Sequence, residues 1–130
     1  MFNFNHVALS VDNVEKSLEF YKKLGFKILK EYHDKSVDIF HLSLNDVVLE
    51  IFHYFDNIDL PEHSKNLSTD LKTIGNKHFG LGVKDIMKAR EFVKNEKLFD
   101  GDIDIIQGRL GKPYFFIKDP DGILIEIIEE

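Results

Sequence analysis

The chain contains the same pattern twice. His6-Val7-Ala8-Leu9-Ser10-Val11 is matched 72 residues later by His78-Phe79-Gly80-Leu81-Gly82-Val83, and the same spacing sets Lys16 against Lys88, Glu19-Phe20 against Glu91-Phe92 and Lys22 against Lys94. Near the end of each copy, Val48-Leu49-Glu50-Ile51 corresponds to Leu124-Ile125-Glu126-Ile127, now 76 residues apart, so the second copy carries a few more loop residues. Self-similarity of this kind restricts the fold to two copies of one supersecondary unit.

Within each copy the hydrophobic period changes in the same order. Residues 5–11 alternate as a strand does, Asp12-Asn13 offers cap chemistry, and Val14, Leu18, Tyr21 and Leu24 then recur at helical spacing until Gly25 stops the helix. Three further strands are predicted at Phe26–Tyr32, Ile39–Leu44 and Val47–Phe52, the last two joined by a tight turn at Asn45-Asp46. The second copy predicts a strand at 77–83, a helix at Ile86–Glu96, a weak strand at Ile103–Ile106, and strands Tyr114–Ile117 and Ile123–Ile128. Asp119-Pro120-Asp121-Gly122 joins the last two, with proline suited to the first corner and glycine to a positive φ. The fold class is therefore α+β, two βαβββ modules in a single domain over 1–130. Module one spans 1–55, a polar linker 56–76 with a short helix around Ser68–Ile74 follows, and module two spans 77–130.

Composition narrows the chemistry. With no cysteine among 130 residues, disulfides, thiolate metal sites and thiol nucleophiles are excluded, and any metal must be held by nitrogen and oxygen. The net charge is −6 with basic residues scattered among acidic ones, which argues against a nucleic-acid partner. No stretch approaches ~18 apolar residues and the start lacks the form of a signal peptide, so no membrane partner and a cytoplasmic location are expected.

Strand parity selects the reactive side chains. His6 shares a face with Ala8 and Ser10, while Glu50 and Glu126 interrupt strongly apolar runs. A carboxylate in such surroundings is costly unless it is paired, protonated or bound to a cation. Singly, each of these residues is better explained as packed or solvent-facing. Jointly, the repeat puts one histidine at the start and one glutamate at the end of each module, and pairing of the modules unites His6, Glu50, His78 and Glu126 around one divalent cation. Two neutral imidazoles and two carboxylates nearly neutralise such an ion, and open positions remain for substrate oxygens. Nickel, cobalt, zinc, manganese and iron(II) all suit the set. His33, His41, His53 and His63 have no counterpart in module two and are not taken as ligands, His53 at the end of a strand being read as a pocket-wall or surface residue.

These stretches, together with Ser17-Leu18-Glu19-Phe20-Tyr21, Leu24-Gly25-Phe26 and the ending Phe116-Ile117-Lys118-Asp119-Pro120-Asp121-Gly122 before Ile125-Glu126, resemble the vicinal oxygen chelate superfamily. That group includes glyoxalase I, methylmalonyl-CoA epimerase, fosfomycin-resistance proteins, bleomycin-binding proteins and extradiol dioxygenases. The resemblance implies a cupped sheet of paired modules, a homodimer and a metal ligand order of His, Glu, His, Glu, which falls on His6, Glu50, His78 and Glu126. Epimerases resemble this order with Gln at the second position, so Glu50 favours a glyoxalase-like (lactoylglutathione lyase-like) enzyme. Ala8-Leu9-Ser10 lacks the strand arginine with which glutathione-dependent members commonly hold the thiol's carboxylate.

The leading expectation is a metal-dependent lyase or isomerase of glyoxalase I type. A small-molecule substrate with vicinal oxygens, a hemithioacetal or similar, loses a carbon-bound proton to Glu126 or Glu50 and passes through an enediolate. Arg109 and Lys112 in the loop Gly108–Pro113 are candidates for an anionic substrate arm, and Phe52 and Tyr114 for an apolar wall. The alternatives are an epimerase of methylmalonyl-CoA type, a thiol transferase acting on an antibiotic epoxide, and a metal-free drug-binding resistance protein. The intact ligand set argues against the last.

Overall fold

The computed structural model describes all residues 1–130, and its contacts divide the chain into two units, Met1–Asp59 and Leu60–Glu130. In the first unit β1 (His6–Ser10), α1 (Val14–Lys23), β2 (Lys27–His33), β3 (Val37–Leu44) and β4 (Val47–Tyr54) follow one another. The strands lie in the order β1-β4-β3-β2, with β1 parallel to β4 and the other pairs antiparallel. The second unit repeats this with β5 (Phe79–Val83), α3 (Ile86–Asn95), β6 (Ile106–Gln107), β7 (Pro113–Lys118) and β8 (Leu124–Glu129), in the order β5-β8-β7-β6. Two four-stranded mixed sheets, each built from one βαβββ module, are the architecture that the repeat predicts.

Local chemistry accounts for the element ends. Asn13 caps α1 by accepting from the Lys16 amide at 3.0 Å, while Asp85 caps α3 by accepting from the amides of Met87 and Lys88, both at 3.0 Å. Those amides are donors a helix start leaves unsatisfied. Past α1, Gly25 sits at φ 103°, a left-handed conformation that glycine adopts without a Cβ penalty. The β7–β8 connection closes through the Gly122 amide on the Asp119 carbonyl at 3.0 Å, and the buried Asp119 carboxylate accepts from the amides of Asp121 and Ile123, each at 2.9 Å.

Alternation along the strands sets the core. In the first unit Phe40, Leu42, Leu49 and Ile51 are buried together with Phe20, Tyr21 and Phe26, whose rings meet edge to face. In the second, Phe115, Ile117, Ile125 and Ile127 are buried with Ile86 and Val93 of α3. Burying each such side chain contributes roughly 1.5–3 kcal/mol. The opposite sheet face carries His41 on β3, Glu50 and Phe52 on β4, Tyr114 and Phe116 on β7, and Glu126 on β8.

Two segments differ from the sequence expectation. The linker helix is a single turn, α2 (Leu67–Asp70), preceded by a 3-10 turn at Glu62–Lys65. It ends early because Asp70 turns its carboxylate back to Ser64 and Lys77, and Gly75 follows at φ 138°. This stretch is bonded into the second unit, where the Lys118 ammonium donates to the Lys65 carbonyl. The weak strand is a two-residue β6 that starts only at Ile106. Ile103 is buried in the core before pairing begins, and Asp102 and Asp104 on either side of it are poor strand formers.

Candidate functional site

Each unit brings one histidine and one glutamate together by the same backbone register. On the first sheet Ala8 pairs with Glu50, and His6 stands two residues before Ala8. On the second, Gly80 pairs with Glu126, and His78 stands two residues before Gly80, just ahead of β5. A two-residue step keeps side chains on one face, so both imidazoles reach their glutamates. His6 Nε2 lies 3.5 Å from Glu50 Oε1, and His78 Nε2 lies 3.4 Å from Glu126 Oε2.

Those separations are informative. They exceed the about 2.7–3.2 Å of an N–H···O hydrogen bond. Two donors each about 2.1 Å from one cation and about 110° apart lie about 3.4 Å from one another, so each pair already has the spacing of two ligands on a shared ion. In the first unit Asn5 Oδ1 accepts from His6 Nδ1 at 2.7 Å, which leaves Nε2 as the ring nitrogen that faces the Glu50 carboxylate. In the second unit His78 Nδ1 is buried without a hydrogen-bond partner, and the ring stands edge to face against Phe116 at 4.7 Å.

The register supplies a residue that sequence reasoning set aside. His41 pairs directly with Glu50 across β3 and β4, and its Nε2 lies 2.5 Å from Glu50 Oε2. The two imidazoles that flank Glu50, His6 and His41, stack with centroids 6.3 Å apart. The Asn45-Asp46 turn already contained the signal, because counting back from it gives Leu44 with Val47, Ser43 with Val48, Leu42 with Leu49 and then His41 with Glu50. His33 and His53 lie elsewhere, hydrogen-bonded to the two oxygens of Asp38 at 2.6 and 3.1 Å. His63 lies in the 3-10 turn.

The candidate substrate residues are dispersed within their own units. Phe52 follows Glu50 on the same face and stacks on Tyr54 at 6.1 Å. Tyr114 precedes Phe116 and meets it edge to face at 5.7 Å. Arg109 and Lys112 are exposed on a tight loop closed by the Gly108 amide on the Lys112 carbonyl at 2.8 Å. No helix is long and apolar enough to cross a membrane.

Two βαβββ modules, each presenting a His–Glu pair on one sheet face, define a class of small two-module α+β proteins. The family model for the Glyoxalase/Bleomycin resistance protein/Dioxygenase superfamily matches residues 3–127, and the chain belongs to that superfamily. It is 29% identical to the lactoylglutathione lyase of Pseudomonas putida over 98% of its own length and 85% of that protein. It is 28% identical to the mitochondrial methylmalonyl-CoA epimerase of Homo sapiens, over 95% of this chain and 71% of the relative. Among solved structures, a glyoxalase family protein from Enterococcus faecalis superposes with a TM-score of 0.79 at 28% identity, covering 98% of this chain and 97% of the other.

Proposed function

We propose that the protein is a divalent-metal-dependent lyase or isomerase of glyoxalase I type, with His6, Glu50, His78 and Glu126 as the ligands of one cation per chain. The observation that carries this reading is the pair of matched His–Glu separations, 3.5 and 3.4 Å, in the two modules. The likeness to a lactoylglutathione lyase supports the reaction class. A cation held there supplies a Lewis acid that stabilises negative charge growing on two neighbouring substrate oxygens.

The chain's own residues supply the rest. Glu126 is the carboxylate better suited to move a proton, because its cross-strand neighbour is Phe116, whereas Glu50 has one oxygen engaged by His41. In this reading Glu126 takes the carbon-bound proton of the substrate and returns it to the adjacent carbon. Phe52 and Tyr114 form apolar walls, and Arg109 and Lys112 meet an anionic arm. Ala8 and Ser10, on the face of His6, offer no cation to a thiol's carboxylate, so the preferred hemithioacetal is one whose thiol does not depend on that contact. The working assembly is a homodimer in the manner of the family.

The likeness to an epimerase favours a second reading, in which one carboxylate takes the proton from one face of a carbon and a solvent-exchangeable proton is delivered to the opposite face by the other. Both are tested on protein purified without a chelator or histidine tag. Elemental analysis is expected to find about one divalent cation per chain in wild type and none in His6→Ala or His78→Ala. Loaded enzyme is then expected to convert methylglyoxal hemithioacetals of several thiols. Solvent-deuterium exchange into an acyl-CoA without hemithioacetal turnover would establish the epimerase instead. A chain that takes up no cation even after reconstitution would remove both.

A further inference from the structure

We propose that His41 is a positioning residue for Glu50, holding the carboxylate by Oε2 so that only Oε1 is presented to the cation. The proposal rests on the metal reading above. His41 Nε2 lies 2.5 Å from Glu50 Oε2, while His6 Nε2 lies 3.5 Å from Glu50 Oε1. The two oxygens of one carboxylate therefore do different things. The first distance is a short, charge-assisted hydrogen bond with a proton between the atoms, and the second is the spacing of two ligands on one ion.

His41 is not itself placed as a ligand beside Glu50. Two donors 2.5 Å apart and each about 2.1 Å from a cation would subtend only about 70° at it, narrower than a regular octahedral or tetrahedral angle. A hydrogen bond to the back of a ligating carboxylate is instead the usual means by which a protein fixes a ligand's orientation and denticity. Backbone register makes the contact rigid, since His41 and Glu50 are direct partners in an antiparallel pair. Both side chains are shielded without being sealed, with side-chain exposures of 33% and 18%. At the corresponding register of the second sheet Phe116 faces Glu126. The repeat thus supplies its own control, a sheet with the glutamate and without the donor.

The test is cobalt(II) affinity, measured by competition with a chelating dye on the full chain, for wild type, His41→Phe, His41→Leu, His41→Gln and His6→Ala. Thermal melting of the metal-free proteins runs alongside. His41→Phe installs the residue that module two carries, and His41→Leu serves if it does not fold. Losing the donor is expected to weaken cobalt binding about 10- to 100-fold. It is also expected to weaken the cobalt visible absorption, as Glu50 becomes free to bind through both oxygens and raise the coordination number. His41→Gln, whose carboxamide can donate to Oε2, is expected to restore most of the affinity and the spectrum.

Equal affinity in wild type and the apolar variants would overturn the proposal, as would a His41→Gln protein no better than His41→Leu. Loss of cobalt as complete as in His6→Ala would make His41 a ligand and overturn it in that direction. Wild type that binds no cobalt would fail the metal reading itself and the proposal with it, a result distinct from the other three.

Discussion

His6 and Glu50 each have a polar neighbour within their own module, Asn5 on the imidazole at 2.7 Å and His41 on the carboxylate at 2.5 Å. The repeat puts Lys77 and Phe116 at the matching places in module two. Lys77 turns away to donate to the Asp70 carbonyl at 2.7 Å, and Phe116 gives His78 a ring edge rather than a hydrogen bond. The reactive pair is the same in both modules and its support is not. Duplication fixes where the donors stand, because backbone register is shared. What surrounds them has diverged, one pair held at both residues and the other held by packing. On the proposed function this contrast divides the labour, with module one fixing a ligand and module two keeping a carboxylate that can move.

The largest effect expected from that division is kinetic. At saturating cation, Glu126→Gln is expected to lower kcat by about 10²- to 10⁴-fold, the range for loss of a positioned general base. Glu50→Gln is expected to act mainly on metal affinity, so that added cation recovers much of its activity. Steady-state rates over a cation titration separate the two, and a Glu50→Gln enzyme that stays the more impaired at saturation would reverse the assignment of roles.

Much of this was legible in the sequence, for identifiable reasons. The two-module architecture followed from the His6/His78 and Glu50/Glu126 offsets, and strand parity put each histidine on the face of its glutamate. Asp119-Pro120-Asp121-Gly122 gave its turn, with Gly122 at φ 84°. His41 was missed because it was judged by its lack of a counterpart in module two, although the Asn45-Asp46 turn already set it opposite Glu50. The late β6 was missed because burial of Ile103 is set by tertiary packing, which a local strand pattern does not report. Asn5 was missed because a residue beside a strand end has no periodicity to mark it.

A smaller test concerns the outer row of module one, where His33, Asp38 and His53 are direct cross-strand neighbours. By strand register, one step beyond the Tyr114–Ile128 pair, module two has Pro113 and Glu129 at the places of Asp38 and His53, and Glu129 instead accepts from the Ile86 amide at the start of α3. Hydrogen bonding to Asp38 raises the His33 pKa above its ordinary 6.5, with help from the charges of Asp38 and Glu31 and against partial desolvation. Hydrogen bonds from His33 and then His53 lower the Asp38 carboxyl below its ordinary 3.8. The signs are opposite. The Asp38 contribution is present above its unfolded pKa and fades as pH falls through the lowered folded value. The His33 contribution is full below its unfolded pKa and fades as pH rises through the raised folded value. Asp38→Asn is therefore expected to lower the melting temperature most between about pH 4 and 6.5 and progressively less on either side. The difference should shrink modestly with added salt, because His33 at the end of the row is half exposed while Asp38 and His53 are largely shielded. A difference independent of pH would show that the row acts by packing alone.

The slightest effect comes from the helices. Ser17 of α1 is fully buried and its hydroxyl has no hydrogen-bond partner, whereas the 72-residue offset puts Ala89 at the same place in α3. An unpaired buried hydroxyl carries a desolvation cost that alanine avoids, and alanine is also the better helix former by about 0.5 kcal/mol. Ser17→Ala is therefore expected to raise stability by about 0.5 kcal/mol, read from chemical denaturation, while leaving metal affinity unchanged. The substitution makes module one more like module two at a position remote from the His–Glu pair. If it destabilised instead, the hydroxyl would be satisfied through a contact that breathing of α1 allows, and the two helices would differ in more than their caps.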